Sequence, residues 1–591
     1  MVKDSGRPGA YSADRADDRD GFDVAIIGSG VAGAVLAACL ARNGAAVVLV
    51  DAGTHPKFTI GESTIPFTSM MLRLIAERYD VPEIKHLSTF EGVYANVTTQ
   101  CGIKKNFGFV HHEEGERQDP KHRTHFQIPK ILNTENHYFR QDVDSWMASI
   151  AAKYGAQLRQ QQPVVDVDID DAGATLSLAT GATLRAKFVV DASGHRSVLA
   201  EKFALREDPC RFRHHSRSMF NHFIGVRPFD DVARPDGGFP TRWHEGTLHH
   251  MFRGGWMWII PFDNHPRATN PLCSVGLLMD PRLHPQPDCS PEQEFEDFLA
   301  KYPDIAAQFA GARPVRSWVR TGRLQYSPRQ TVGYRWCLTS HAAGFIDPLF
   351  SRGMSNTMET VHALTHRLLD AIRDDDFSVE RFSFMQDLEQ GLLDFNDDLC
   401  ANAYASFGDW RLWNAWFRIW ALGQIIATFE VNRAYAQYLN TRDTAVLTRL
   451  EHAWWRGRTP DDSAFAPLVQ LLRDVGDECE GVRQGTRDAG DAADAIFARL
   501  RDADFVPPGF GLTDPGVACL DLPFTGVLRA LRWARKDAPP QIGELTREGL
   551  TLFMRKRFAK GEFELGEEFR QMLAGRAVLG RNLRVPDPLK Y

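Results

Sequence analysis

An α/β fold is expected for this chain: a Rossmann-like dinucleotide-binding domain, an interleaved β-rich domain and a C-terminal helical domain. Three observations carry that expectation. The apolar run Asp23 to Ile27 enters the turn Gly28-Ser-Gly30-Val-Ala-Gly33, passes into a helix of small residues, and returns as Ala46 to Val50, ending in Asp51. A second strand–turn–helix pattern, Phe188 to Ala200, and a third strand and loop, Trp336 to Asp347, follow far along the chain. Beyond about residue 375 the apolar period becomes helical.

Each part of the first unit has a physical task. Gly28 allows the tight turn, Gly30 lets backbone approach a pyrophosphate, and Gly33 lets the helix sit close on its strand. The helix start, with the amides of Val31 and Ala32, favours anionic phosphates, and Asp51 can accept from ribose hydroxyls. Further on, Tyr94 to Val110 reads as strands across a pocket and Trp146 to Tyr154 as a helix. Pro163 to Ala179 reads as two strands turning at Asp170 to Gly173, and Met219 to Leu278 as a strand-rich aromatic segment. Dinucleotide-type segments (about 23–75, 145–205 and 330–373) alternate with sheet-rich ones (about 90–144 and 206–329). Residues 23–373 are therefore expected to form one composite core, with 374–591 as the helical domain. There Trp410, Trp413, Trp416, Phe417 and Trp420 share one helix face, which packs on the core, walls a substrate site or forms an amphipathic membrane face.

Composition narrows the function classes. A net charge of −7 over 591 residues gives no support for nucleic-acid binding. Nine cysteines without a C-x-x-C pair argue against a zinc or dithiol site and fit a reducing cytosol. Residues 1–22, rich in Asp, Arg, Gly and Ser, read as a disordered leader without a signal-peptide core. No run of 18 apolar residues offers a membrane span.

Two segments resemble flavin monooxygenases of the p-hydroxybenzoate hydroxylase type, which implies an FAD-binding domain of the p-hydroxybenzoate hydroxylase/glutathione reductase type. They are Asp191-Ala-Ser-Gly-His-Arg-Ser197 and Gly344-Phe-Ile-Asp347-Pro348. The resemblance implies FAD, with Asp191 and Asp347 among its contacts. Three more segments resemble the flavin-dependent halogenases, above all those of tetracycline-type aromatic polyketide pathways. These are Gly61-Glu62-Ser63-Thr64-Ile-Pro66, Gly255-Trp256-Met-Trp258-Ile-Ile-Pro261 and Asp347-Pro-Leu-Phe350-Ser-Arg352-Gly353-Met-Ser355. That resemblance implies an enzyme that uses FADH2, supplied by a separate NAD(P)H flavin reductase, with O2 and chloride to make hypochlorous acid. The oxidant would travel through a tunnel, walled by Trp256, Trp258 and Pro261, to a lysine that faces an aromatic polyketide. An FAD-dependent aromatic hydroxylase is the alternative, and a non-catalytic flavoprotein scaffold a third.

Residues are assigned on the same resemblance. Lys104 or Lys105, ahead of Phe107-Gly-Phe109, is the lysine; on a strand the two side chains point to opposite faces, and the spacing favours Lys104. Amides of Arg352 and Gly353 would hold halide, with Thr64 facing them. Ser63, Thr64 and Arg140 are expected at the flavin. Glu62 either fixes its loop or acts on Lys104 through charge. Phe350 stands where tryptophan halogenases carry glutamate, which shifts the expected substrate from indole towards a phenol. His111, His112, His249 and His250 are candidate bases for its proton.

Overall fold

The computed structural model describes residues 21–128, 134–235, 238–451 and 465–559. The expected leader lies outside the described residues except for Gly21 and Phe22, and Phe22 already begins a strand. β1 (Phe22–Ile27) and β2 (Val47–Val50) pair in parallel, joined by helix α1 (Val31–Arg42). The strand Thr183–Asp191 lies parallel on the other side of β1, followed by Trp336–Leu338; Gln157–Arg159 extends the sheet beyond β2. Every β2 residue is buried, as a parallel strand covered on both faces requires. Helices Arg140–Lys153 and Arg352–Asp374 pack on α1, so three distant stretches close one nucleotide-type layer.

The second sheet is mostly antiparallel. Its central order is Arg217–Ile224, Leu272–Met279, Gly255–Pro261, Thr247–Phe252, β4 (Asn106–His111), β5 (Arg123–Gln127). Thr247–Phe252 lies parallel to β4, and the short strand Cys519–Leu520 from the C-terminal region pairs with β5. Between the sheets, β3 (Gly102–Lys104) runs antiparallel to β6 (Glu135–His137), placing Lys104 opposite Glu135. Tyr94 departs from its expected strand: it lies in the helix Phe90–Asn96, whose N-cap Thr89 accepts from the Gly92 amide at 3.0 Å.

The 32-residue helix Trp410–Thr441 begins on Asp409, whose carboxylate accepts from the Leu412 amide at 3.0 Å. Its aromatic face lies on β4 and β5. Trp413 and Phe417 sit 5.0 and 4.8 Å from Phe109, and Trp420 sits 5.6 Å from Phe107. This helix covers the pocket side of the second sheet.

Candidate functional site

The nucleotide cradle is made of backbone. Gly28 has φ +103°, and a Cβ there would meet the Ala192 carbonyl oxygen at 2.6 Å. A Cβ on Gly33 would meet the Gly28 carbonyl oxygen at 2.0 Å, so only glycine lets α1 sit this low. Gly30 has only the Asp144 carboxylate near its missing Cβ, at 3.8 Å, leaving room for a ligand. No side chain caps α1 and no acid stands in its first turn, so the Val31, Ala32 and Gly33 amides face outward. This cradle fits a pyrophosphate. At the end of β2, Asp51 accepts from the Ser29 amide and hydroxyl at 2.7 and 2.6 Å, and Lys57 also pairs with it. Burial pushes its acidity down in strength, but those bonds win and hold its pKa below the usual value.

The other acids and the arginine are more fully committed than expected. Asp191 is fully buried, and both carboxylate oxygens are taken by Ser193, Ser197 and the Leu199 amide. It fixes its own turn and has no surface for a cofactor. Asp347 gives Oδ2 to His214, Ser216 and Tyr404 at 2.9, 3.2 and 3.1 Å, and Oδ1 to the Leu349 amide at 3.0 Å. Arg140 makes a two-toothed pair with Asp144, and donates to the Ile60 and Gly61 carbonyls at 2.9 Å each. It thereby clamps the loop that carries Glu62 and Ser63.

Lys104 and Lys105 separate sharply. Lys105 is part-exposed and pairs with Glu245. Lys104 is 0% exposed; its Nζ donates to Ser63 Oγ at 2.7 Å and lies 3.6 Å from the Phe107 ring centre. Burial pulls its pKa well below the ordinary lysine value, while the charge of Glu135 pulls the other way. Glu135, 1% exposed, is shifted up by its own burial against the hydroxyls of Ser69 and Thr64, which donate to it at 2.6 and 2.8 Å. Both groups thus move towards their neutral forms.

Two assignments change here, and one open alternative closes. Ser63, expected at the cofactor, bonds Lys104 and, at 2.9 Å, Thr247. Thr64, expected at flavin and halide, gives its proton to Glu135 and accepts from the Asn136 amide at 2.9 Å, leaving none for an anion. Glu62 turns away from Lys104: its carboxylate lies 3.5 Å from His222 Nε2, and the carboxylate whose charge acts on Lys104 is Glu135. Neighbouring residues of an extended loop point to opposite sides, which puts Ser63 and Glu62 in different surroundings.

Rings connect the lysine to two other places. Phe107, His249, Trp256, Trp258, Phe220 and Phe58 follow one another at centroid distances of 5.0, 5.3, 5.7, 6.0 and 5.6 Å, ending at the part-exposed Phe58. On the other side Phe107 touches Trp420, and Trp420 stacks on Phe350 at 4.9 Å. Phe350 leads into the helix Arg352–Asp374, whose start also lacks a side-chain cap and a first-turn acid. There Gly353 faces His341, whose pKa burial, then the Arg140 charge, lower to about 4. Beside Phe107 and Trp420 opens a cavity of about 60 Å³, also lined by Ile65, Phe126, Phe429 and Phe510, with Gln424 and Thr428 as its polar side chains.

The candidate bases divide likewise. His111 bonds the Phe407 carbonyl, while His112, His250 and Gln308 bond one another in a row. His249 stacks on Phe107 and Phe109 with Nδ1 on the Gly108 carbonyl, and burial lowers its pKa to about 3. His137, Glu135 and Thr247 were not foreseen as site residues. The sequence signal was the polar triplet Glu135-Asn-His137 running into Tyr138-Phe139, which the structure buries in a strand.

A family model described as tryptophan halogenase matches residues 111–393, and one described as NAD(P)-binding Rossmann-like domain matches residues 26–66. The chain is 46% identical to the tetracycline 7-halogenase of Kitasatospora aureofaciens, over 89% of this chain and 94% of that one. It is 45% identical to the monodechloroaminopyrrolnitrin halogenase PrnC of Pseudomonas fluorescens, with the same coverages of 89% and 94%. The halogenase PltM, solved with phloroglucinol and FAD, superposes with a TM-score of 0.80 at 32% identity, over 85% of this chain and 99% of that one. Among the described residues no helix is long and apolar enough to cross a membrane.

Proposed function

The chain belongs to the flavin-dependent halogenases, and on that premise we propose that it chlorinates an electron-rich phenolic ring of a tetracycline-like polyketide intermediate. The observation that carries this reading is a fully buried amine, Lys104, resting on Phe107, which itself lines an apolar aromatic cavity. Gly28, Gly30, Val31, Ala32, Gly33 and Asp51 would hold FAD, with Arg140 clamping the adjoining loop. Reduced FAD, furnished by a separate flavin reductase, supplies hypochlorous acid from O2 and chloride when bound. The Arg352 and Gly353 amides would hold the chloride at their helix start. The two ring rows would keep water from the path to Lys104, and the helix Trp410–Thr441 covers that side through Trp413, Phe417 and Trp420.

Lys104, held towards its neutral form, is a nucleophile for hypochlorous acid. Its nitrogen gains the chlorine, one N–H proton leaves with the hydroxide as water, and an arene carbon then takes the chlorine while the ring proton returns to the amine. Phe350 places no charge beside the ring, which suits a phenol that activates itself. The cavity is smaller than the roughly 150 Å³ that admits benzene in an engineered protein core. Substrate entry therefore requires Trp420 or its helix to shift. A second reading, an arylpyrrole, rests on the Thr428 hydroxyl in the cavity lining, which donates its proton to the Gln424 backbone carbonyl and so keeps only acceptor capacity, suited to a ring N–H.

The test supplies the protein with FAD, a flavin reductase, NADH and chloride, and offers a tetracyclic phenol and an arylpyrrole in separate reactions. A chlorine isotope pattern on the phenol supports the first reading, and on the pyrrole alone the second. A gain of one oxygen mass contradicts both.

A further inference from the structure

A buried chain of hydrogen bonds runs from Lys104 through Ser63 and Thr247 to His137. The steps are 2.7 Å from Lys104 Nζ to Ser63 Oγ, 2.9 Å to Thr247 Oγ1 and 3.0 Å to His137 Nε2. The far ring nitrogen, His137 Nδ1, lies 2.9 Å from the Pro261 carbonyl oxygen. An isolated β-bridge between Ser63 and His137 holds the two ends of the chain together.

A carbonyl oxygen can only accept, so His137 must carry its proton on Nδ1. Burial keeps the ring neutral, at a pKa of about 3, so Nε2 is an acceptor. Thr247 therefore gives its proton to His137 and has only lone pairs for Ser63. Ser63 must then give its own proton to Thr247, and it meets Lys104 with lone pairs alone. The direction of every bond follows from one carbonyl on the Gly255–Pro261 strand. At the lysine, one N–H points to Ser63 and another to the Phe107 ring face. Among the described residues no other group hydrogen-bonds the nitrogen, whose third position is the lone pair of the neutral amine.

We propose that Ser63, Thr247 and His137 are positioning residues that keep the Lys104 lone pair uncapped for the incoming halogen. The proposal rests on the reading of Lys104 given above. Without an acceptor at 247, the Ser63 hydroxyl is free to turn its proton onto the amine and block it.

The experiment uses the FAD-loaded protein in single turnover with chloride and a phenolic acceptor, with a scavenger for escaped hypochlorous acid, over a series of pH values. Thr247→Val should release hypochlorous acid to the scavenger and lose chlorinated product by about tenfold, the worth of one hydrogen bond at the amine. Its product should rise less with pH than that of the natural chain, since deprotonating the amine no longer frees its lone pair. Thr247→Ser, which restores the hydroxyl, should recover both, and His137→Phe should behave like Thr247→Val. Natural product levels in Thr247→Val, alongside lost product in Lys104→Ala, overturn the chain and leave the lysine reading intact. Product retained in Lys104→Ala overturns the lysine reading itself. Parallel loss of FADH2 oxidation and product in Thr247→Val, with no escaped oxidant and no rescue by serine, makes the residues structural only and overturns the proposal.

Discussion

Around Gly28 to Gly33 the working surface is backbone, whereas around Lys104 it is side chains drawn from five separate segments. The cradle offers outward-facing amides and three glycines whose missing Cβ atoms make the room. The lysine pocket gathers Ser63, Lys104, Glu135, His137 and Thr247 from a loop and three strands, together with Phe107. A backbone site costs little to keep dry because its polar groups already belong to the fold. A side-chain site of this kind carries a buried amine and a buried carboxyl, both displaced from their ordinary ionisation, and so is kept at some expense of stability. The two regions should thus respond in opposite senses to substitution.

The largest effect belongs to the cradle. Gly33→Ala adds a Cβ 2.0 Å from the Gly28 carbonyl, a backbone atom that cannot yield without moving β1. Thermal unfolding should show a loss of about 3 kcal/mol or more, and FAD titration a steep fall in affinity. Next comes the cavity wall: Trp420→Ala removes contacts to Phe107, Phe350 and Phe417, and should cost about 3–5 kcal/mol in denaturant unfolding. Binding of a bulky aromatic should weaken less than the stability does, because the pocket is already opened.

In the lysine pocket the sign reverses. Lys104→Met should raise stability by about 1–3 kcal/mol at neutral pH, by removing an amine whose burial opposes its charge. The folded lysine releases its proton at lower pH than the unfolded one. Between those points the unfolded chain binds the extra proton, so the natural protein gains stability as pH rises towards 10.5. The advantage of methionine should shrink over that range, and melting curves at several pH values will show whether it does. The smallest effect should come from the adjacent residue: Lys105→Ala breaks a part-exposed pair with Glu245 and should change stability by less than about 0.5 kcal/mol.

How far each region could be read in advance follows from the same contrast. The cradle's glycines, its helix and Asp51 lie within one continuous stretch, and their tasks are set by local geometry. The burial of Lys104 beside a part-exposed Lys105 follows the alternation of an extended segment, and it is Lys104 that the spacing to Phe107-Gly108-Phe109 favours. Its partners are not legible in this way. The loop motif points to Ser63 and Thr64 at the flavin, since it does not reveal which way successive side chains turn. Asp191 is closed off by Ser193 and Ser197 from its own turn, which the strand–turn–helix pattern alone does not disclose. Glu135 comes opposite Lys104 through the β3–β6 pairing, while Thr247 and His137 reach it by way of Ser63; neither arrangement has a local sequence signature.

The central claim, that Lys104 carries the halogen to the substrate, is tested most directly by single turnover of Lys104→Ala loaded with FADH2 in chloride, O2 and a phenolic acceptor. Oxidant should appear in a scavenger while chlorinated product falls by on the order of 10³-fold, the scale of losing a covalent nucleophile. Product formed at the natural rate and at the same ring carbon would contradict the account.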